Sequence, residues 1–290
     1  MELGIVGLPT SGKTMVFNAA TRGNTSNTTG TADRPNVGVA KIPDLRLNRL
    51  KEIFQPPSVV QAEVRYIDIP GVPQDLGGAE GIAGQYLNML ERVDALVLIV
   101  RAFEDDTVAH PLGSIDPHRD LATMQMELAF ADLNILERRL KRLNDSMKSA
   151  KTAQRDTLRK EESFINRLKE TLESEEPIRG LEFTGEEAKI LQNYQFLTAK
   201  PLMVVWNIDE DTLSNSSVLE LELRERYGSE NLQVAVLCGK IEVELAAMEL
   251  EDEIAFRESL GIQESGLTRM ITLSSNLLGL MTFLTAGPQE

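Results

Sequence analysis

The chain has 290 residues, of which 42% are hydrophobic and 26% are charged, a composition typical of a soluble globular protein with one large domain or two ordinary ones. Its net charge of −15 argues against bulk non-specific binding to nucleic acid, and DNA is not an expected partner. One cysteine and two histidines exclude a disulfide framework and favour a reducing, cytoplasmic compartment. No apolar run is long enough to cross a membrane.

The first element is a predicted strand that leads into "GLPTSGKT", which fits the pattern G-x-x-x-x-G-K-[ST] and precedes a helical pattern. The glycines permit a tight loop whose N–H groups surround phosphates, and the following helix favours the same anion. Lys13 is expected to reach the β- and γ-phosphates as a catalytic residue, and Thr14 to give its hydroxyl to Mg²⁺. The predicted nucleotide-binding residues here are Gly7, Pro9, Thr10, Ser11, Gly12, Lys13, Thr14 and Met15.

A second predicted strand carries Asp68 at its end, where the carboxylate can hold Mg²⁺ through water, and Gly71 can turn its N–H onto the γ-phosphate. Val72 stands where many GTPases place a glutamine that orients the attacking water. Hydrolysis is therefore expected to be slow or to use another group. His110 is the candidate to orient or deprotonate water, and an ordinary surface histidine is the alternative.

Five apolar segments are predicted to be buried strands, namely 2–7, 63–69, 94–100, 201–207 and 232–238. Continuous apolar runs with long helical connections are typical of a mostly parallel sheet covered by helices on both faces, so the predicted fold class is α/β.

Residues 118–200 contain no predicted strand. Two amphipathic helical stretches predict an antiparallel coiled-coil hairpin, and Thr184 with Glu187 predicts a capping box for a third helix. We therefore expect an inserted α-helical domain at 118–200, within a nucleotide-binding domain formed by 1–117 and 201–290.

The fourth strand runs into Asn207, Ile208, Asp209 and Glu210, where GTPases have Asn-Lys-x-Asp. Asp209 lies one position before the aspartate with which GTPases contact guanine. Glu210 occupies that position but is one methylene longer than aspartate, so the motif disfavours guanine. It does not establish adenine: an amide such as Asn207 can serve N7 and N6, but a carboxylate facing adenine N1 would be repelled. The segment after the last strand is expected to close the other side of the base with Cys238, Gly239 and Lys240. An acidic turn opening the next helix is the alternative.

Together with the two phosphate motifs, "PNVGVAKIPDLRLNRL", "RAFEDDTVAHPLGSIDPHRD", "FLTAKP", "NIDED" and "LLGLMTFLTAG" resemble signatures of the Obg-like ATPases of the YchF type, in the expected order over nearly the whole chain. The resemblance implies a G-protein-like P-loop domain with a coiled-coil insertion. It implies ATP preference through Asn207 and Glu210, with Ile208 at the adenine. It also implies a link to ribosomes and to translation or stress regulation.

Further residues follow from the resemblance. The family histidine matches His110, and a hydrophobic residue stands at Val72 as in the family. The family's switch threonine falls on Ala32 without gaps, so the neighbouring Thr31 becomes the candidate for a second Mg²⁺ hydroxyl. The family continues into a C-terminal TGS domain, which we expect to be absent here.

The sequence thus predicts a monomeric, slow, Mg²⁺-dependent ATPase acting as a switch, in which nucleotide orders residues 22–38 and 71–85. Residues 138–160 carry nine Lys or Arg against two Asp, so this hairpin is a candidate for rRNA contact on the ribosome, with a solvated helix face as the alternative. A true GTPase and a non-hydrolysing ATP-binding scaffold are the rival functions. A metabolic kinase would need an acceptor pocket, and none is predicted.

Overall fold

The structure is a computed structural model that describes residues 1–23, 35–42, 44–70, 84–262 and 264–285. Within these residues, six strands form one sheet in the order β2-β3-β1-β4-β5-β6. All pairings are parallel except that of β2 with β3, so the predicted mostly parallel α/β sheet is confirmed. The strands are β1 (Glu2–Val6), β2 (Asn36–Lys41), β3 (Glu63–Asp68), β4 (Ala95–Ala102), β5 (Leu202–Ile208) and β6 (Leu232–Leu237).

The five predicted strands are all present, and their ends differ from the prediction by at most two residues. Sequence analysis missed β2, the antiparallel strand beside β3. It lies at the edge of the sheet, and only Gly38 and Ala40 of its six residues are buried. An edge strand of this kind has no continuous apolar run, which was the signal used for the other five.

Helices form most of the connections between the strands. The described α-helices are α1 (Lys13–Thr21), α2 (Leu45–Phe54), α3 (Gly84–Leu90), α4 (Pro117–Ser149), α5 (Thr152–Glu173), α6 (Gly185–Leu191), α7 (Ser216–Tyr227), α8 (Gly239–Ala246), α9 (Leu250–Ser259) and α10 (Gly266–Leu277). None of the helices in the described part of the chain is long and apolar enough to cross a membrane.

The chain divides into two compact units, of which the first comprises Met1–Gly71, Val93–Pro117 and Leu202–Glu290. Its core joins the strands to α1 and α10: Val16 and Phe17 of α1 are fully buried in the same cluster as Ile99 of β4 and Met270 of α10. Strand β1 and helix α1 are therefore both anchored in this core, which fixes the two ends of the loop that joins them.

The second unit comprises Val72–Arg92 and His118–Pro201 and is helical in its described part. Leu136 and Leu143 of α4 pack with Ile165 and Leu168 of α5, as the predicted hairpin requires. The predicted capping box of the third helix is also present, since Thr184 accepts from the N–H of Glu187 while the Glu187 carboxylate accepts from the N–H of Thr184 at 2.8 Å.

The longer segment of the helical unit, His118–Pro201, spans the predicted insertion at 118–200. Residues 84–92 are also grouped with the helical unit, whereas the prediction had placed them in the nucleotide-binding domain. The domain boundaries at 1–117, 118–200 and 201–290 stay predictions.

Candidate functional site

The loop between β1 and α1 has the backbone shape of a phosphate cradle. Thr10 and Gly12 have φ angles of 62° and 86°, both in the left-handed region, and Gly12 is the N-cap of α1. A Cβ at Gly12 would lie 2.1 Å from the side-chain nitrogen of Asn207, so this position has room for glycine alone. The chain thereby turns sharply and starts α1 with its free N–H groups at the loop, the arrangement that binds anions.

Lys13 lies under this loop and is 7% exposed. Its Nζ donates to the carbonyl oxygens of Gly7 at 3.1 Å and Leu8 at 2.8 Å. Burial lowers the pKa of Lys13 from its usual 10.5 to about 8, and the nearby Asp68 carboxylate opposes that shift. An ammonium group that is buried against two carbonyls has a strong electrostatic preference for an additional anion, as its predicted phosphate contact requires.

The other loop residues differ in accessibility. Thr10, Thr14 and Met15 are exposed, and Pro9 is half-buried, so these four are accessible to a ligand. Ser11 is buried, and its Oγ lacks a hydrogen-bond partner among the described residues. Its contribution to the loop comes instead from its main-chain carbonyl, which accepts from Asn207.

The predicted metal ligands Thr14 and Asp68 are brought into contact. The hydroxyl of Thr14 donates to Oδ2 of Asp68 at 2.9 Å, and the side-chain amide of Asn36 donates to the same oxygen at 3.3 Å. Burial raises the pKa of Asp68, and the hydrogen bonds from Thr14 and Asn36 oppose it. A hydroxyl and a buried carboxylate side by side are hard oxygen ligands that fit Mg²⁺, which takes its remaining ligands from water and phosphate.

No cluster of three or more His, Cys, Asp or Glu side chains with metal-binding geometry occurs in the described ranges. The two-ligand arrangement of Thr14 and Asp68 is therefore the metal candidate that the described residues offer. The predicted residues Thr31 and Gly71, together with Ala32 and Val72, lie outside the described residues, so their roles stay predictions.

Asn207 sits between the phosphate loop and the segment after β6. Its side-chain nitrogen donates to the carbonyl of Ser11 at 3.1 Å, and its side-chain oxygen accepts from the N–H of Gly239 at 2.9 Å. The residue is 2% exposed. In this structure both ends of the amide bind main chain, so it joins two loops of the site. Each end keeps a second donor hydrogen or lone pair, and the contact with the base that sequence reasoning assigned to Asn207 stays a prediction.

The acidic residues that follow β5 are held differently from one another. Oδ1 of Asp209 accepts from both the N–H and the hydroxyl of Thr212, at 2.9 and 2.6 Å. Oε1 of Glu210 accepts from Nζ of Lys240 at 2.6 Å. The alternative interpretation, an acidic turn, thus describes Asp209, whereas Glu210 and Lys240 bridge the two segments that were predicted to enclose the base.

The remaining predicted base residues are largely enclosed. Ile208 is the last residue of β5 and Cys238 is the N-cap of α8, and each is 2% exposed. Burial raises the pKa of the Cys238 thiol. Both Ile208 and Cys238 are buried beside the exposed residues Glu210 and Lys240 in the sequence, and direct contact of Ile208 with a base stays a prediction.

His110 lies in the loop that follows β4. Its Nδ1 accepts a hydrogen bond from the N–H of Leu112 at 3.1 Å, and its carbonyl accepts from the N–H of Gly113 at 3.0 Å. Because a main-chain N–H can only donate, Nδ1 is the acceptor atom and the neutral imidazole carries its proton on Nε2.

Arg101, near the end of β4, was missed by sequence reasoning. This 2% exposed guanidinium donates to the hydroxyl of Thr10 at 3.3 Å and to the carbonyls of Phe103, Asp105 and Val108 at 3.3, 3.3 and 3.0 Å. It therefore joins the phosphate loop to the loop that leads to His110. A lone charged residue at the end of the apolar run "ALVLIVR" was the signal that could have identified it.

Comparison with known proteins gives relatives over the full length of the chain. A family described as 50S ribosome-binding GTPase matches residues 2–135. "Ribosome-binding ATPase YchF" of Bacillus subtilis (strain 168) is 40% identical over 294 residues, which cover 100% of this chain and 79% of the relative. The protein of the same name from Escherichia coli O157:H7 is 34% identical over 291 residues, with the same coverage.

A solved structure gives the same result at the level of the fold. The "Structure of the Schizosaccharomyces pombe YchF GTPase" superimposes with a TM-score of 0.82 at 27% sequence identity. The superposition covers 99% of this chain and 78% of that chain. The names of these relatives differ in the nucleotide, since one says ATPase and the other GTPase, so the residues around Asn207 bear on which base this chain binds.

Proposed function

This chain belongs to the YchF family of ribosome-binding ATPases, and from that premise we propose that it is a Mg²⁺-dependent ATPase that acts as a nucleotide-controlled switch on the ribosome. The observation that carries the proposal is the joint placement of Lys13 and the Thr14–Asp68 pair at one end of α1. Phosphate and metal ligands in this order are what a nucleoside triphosphate with its cation requires.

The residues at the phosphate loop have separable tasks. Lys13 would exchange the carbonyls of Gly7 and Leu8 for phosphate oxygens, while Thr14 and Asp68 would hold Mg²⁺ directly and through water. Bound Mg²⁺ would neutralise negative charge on the phosphates during transfer. Arg101 would stabilise the conformation of the phosphate loop through its hydrogen bond to Thr10 while the nucleotide binds.

We assign His110 to orienting water rather than to deprotonating it. The hydrogen bond from the N–H of Leu112 to Nδ1 places the proton of a neutral ring on Nε2, and an Nε2–H donates a hydrogen bond but takes up no proton. Together with Val72 at the glutamine position, this supports slow hydrolysis in the isolated protein. The segments proposed to respond to nucleotide, 22–38 and 71–85, lie mostly outside the described residues.

The ribosome contact is proposed for the tip of the α4–α5 hairpin. Exposed cations line this tip, and Lys141, Lys151, Arg155 and Arg159 form no ion pair within the described residues. Cations without a protein partner are available to rRNA phosphates, even on a chain whose overall charge is −15. The proposal also takes the protein to be a monomer in the cytoplasm.

The hairpin is tested by replacing Lys151, Arg155 and Arg159 with glutamate in the full chain. Co-sedimentation with ribosomes should weaken and its salt dependence should become shallower, because fewer phosphate contacts remain. Nucleotide affinity should stay at the wild-type value. Sedimentation equal to wild type over the salt series would remove the hairpin from the proposal and leave the ATPase untouched.

The ATPase itself is tested with Lys13→Ala, and Lys189→Ala serves as control because Lys189 is an exposed lysine on α6. Phosphate release from MgATP should be lost in Lys13→Ala, with an unchanged circular dichroism spectrum, and retained in the control. An unchanged rate in Lys13→Ala would contradict the site. ATP binding without any hydrolysis by the wild type would favour the scaffold, and preference for GTP would favour the GTPase.

A further inference from the structure

An exposed ion pair closes the rim of the proposed base site. Lys240 stands directly after Gly239, whose N–H binds Asn207, and Glu210 stands three residues after Asn207. The Lys240 Nζ and Glu210 Oε1 atoms are 2.6 Å apart, with 63% and 47% of the two side chains exposed. The pair therefore joins the segment after β5 to the segment after β6 at their exposed side.

Two neighbouring polar side chains, Asn207 and Asp209, are already bonded to protein. Both ends of the Asn207 amide bind main chain, and Oδ1 of Asp209 holds the N–H and the hydroxyl of Thr212. Glu210 is the carboxylate of this segment that is bonded to a movable side chain instead of to a turn. A bound base would therefore meet the electrostatics of Glu210 together with those of Lys240.

The two bases differ in what they present to such a pair. Guanine offers N–H donors at N1 and N2, which a bare carboxylate accepts. Adenine has an acceptor at N1, which a bare carboxylate repels. An ammonium in contact with the carboxylate removes the net negative charge and offers N–H donors of its own, so the repulsion of adenine disappears and the advantage of guanine shrinks.

We propose that Lys240 is a specificity-determining residue, which makes the base site accept adenine by neutralising Glu210. The inference rests on the proposed function, since it assigns the base preference of that same site. The pair is too exposed to contribute much to folding, so removing it should alter the choice of nucleotide and leave the fold intact.

The test measures the affinities of full-length protein for MgATP and MgGTP by competition against a fluorescent nucleotide. In Lys240→Ala, the ratio of ATP affinity to GTP affinity should fall by about tenfold. Lys240→Arg keeps the positive charge and should keep the ratio. Glu210→Gln combined with Lys240→Ala removes the bare carboxylate again, and the ratio should return toward the wild-type value.

The controls distinguish a failure of the proposed Lys240 role from a failure of the proposed ATPase function. Lys189→Ala removes an exposed lysine from the other unit and should leave both affinities unchanged. A ratio in Lys240→Ala within about threefold of wild type would overturn the role of Lys240 while the ATPase proposal stands. Wild-type protein that binds neither nucleotide would overturn both, and thermal melting checks that each variant is folded.

Discussion

The side-chain nitrogen of Asn207 donates a hydrogen bond to the main-chain carbonyl of Ser11 at 3.1 Å. The two residues lie 196 positions apart in the chain, yet this contact ties the end of β5 to the phosphate loop. The same amide accepts from Gly239. The phosphate loop, the end of β5 and the start of α8 are consequently fixed to one another by a single buried side chain.

Replacing Asn207 with alanine should weaken the binding of ATP and of GTP to the same extent. The change leaves a buried carbonyl of Ser11 and a buried N–H of Gly239 without their partner, which costs about 1–3 kcal/mol of folding stability for each such group. Urea unfolding measures this loss. Titrations with MgATP and MgGTP should show that both affinities fall by the same factor, because the loops that hold the phosphates are displaced.

Asn193 provides the matched control for this variant, since it is an exposed asparagine on the helical unit. Asn193→Ala should leave stability and both affinities within error of wild type. If Asn207→Ala lost ATP affinity alone and kept GTP affinity, the amide would be contacting the base, and the positioning role assigned to it here would be wrong.

Gly12→Ala should be more damaging than the same change at Gly23. Both glycines have left-handed φ angles, 86° and 71°, so each substitution carries backbone strain of about 1–2 kcal/mol. A Cβ at Gly12 would also lie 2.1 Å from the Asn207 side chain, whereas a Cβ at Gly23 would have nothing within 4 Å among the described residues. Subtracting the loss of unfolding free energy in Gly23→Ala from the loss in Gly12→Ala gives the cost of the contact with Asn207.

Nucleotide titration completes that comparison. Gly23→Ala should bind MgATP more tightly than Gly12→Ala does, because Gly23 lies beyond the end of α1 and away from Asn207. Gly12→Ala should lose binding, since Asn207 must move away and release Ser11 and Gly239. Equal losses of stability in the two variants would mean that Asn207 can move at no cost.

The parts of the site that sequence predicted are those made by local pattern. The phosphate loop requires two glycines, a lysine and a threonine in fixed order, so Gly7 to Thr14 were identified from spacing alone. Asp68 was found because a strand pattern ends there. Contacts that join distant segments leave no such pattern, which is why Asn36, beside Asp68 across an antiparallel pair, was missed.

In the base region, the sequence identified the residues of the site but not their hydrogen-bond partners. Sequence analysis identified Asn207, Glu210 and Lys240 as members of one site, and the structure brings them together. Their bonding partners were not predictable, because an amide that joins two loops and an amide that contacts a base occupy the same position in the sequence. Hydrogen-bond partners depend on the register of β5 beside β6 and on the path of the loops beyond them.

Arg101→Lys should loosen the phosphate loop even though it conserves the charge. The guanidinium donates to three carbonyls and to the Thr10 hydroxyl, and a lysine ammonium cannot span that set. We expect a loss of about 1.5–3 kcal/mol in urea unfolding. Affinity for MgATP and MgGTP should fall together, because the loop is held less firmly.

Thr10→Ala separates the two functions of Arg101. It removes only the contact with the phosphate loop, and Thr10 is exposed, so stability should fall by less than about 1.5 kcal/mol. A Thr10→Ala variant as unstable as Arg101→Lys would place the main contribution of Arg101 at the loop instead of at the carbonyls of Phe103, Asp105 and Val108.

Nucleotide affinity should depend on pH through Lys13. Burial lowers the pKa of this residue to about 8 in the free protein, against 10.5 as its usual value. Between pH 8 and 10.5 Lys13 is protonated in the unfolded chain but largely deprotonated in the folded one. The contribution of Lys13 to the free energy of unfolding therefore rises with pH between about 8 and 10.5. A bound phosphate favours the charged ammonium and raises its pKa, so binding above pH 8 takes up a proton.

The affinity for MgATP should therefore be constant below pH 8 and should fall above it, by up to about tenfold for each pH unit. Titrations from pH 7 to 9.5 measure the slope, and calorimetry in two buffers of different ionisation enthalpy measures the proton uptake directly. Lys13→Met should bind weakly and without this slope, because it has no proton to gain. A wild-type affinity that stays constant to pH 9.5 would show that the Lys13 ammonium is not the group that meets the phosphates.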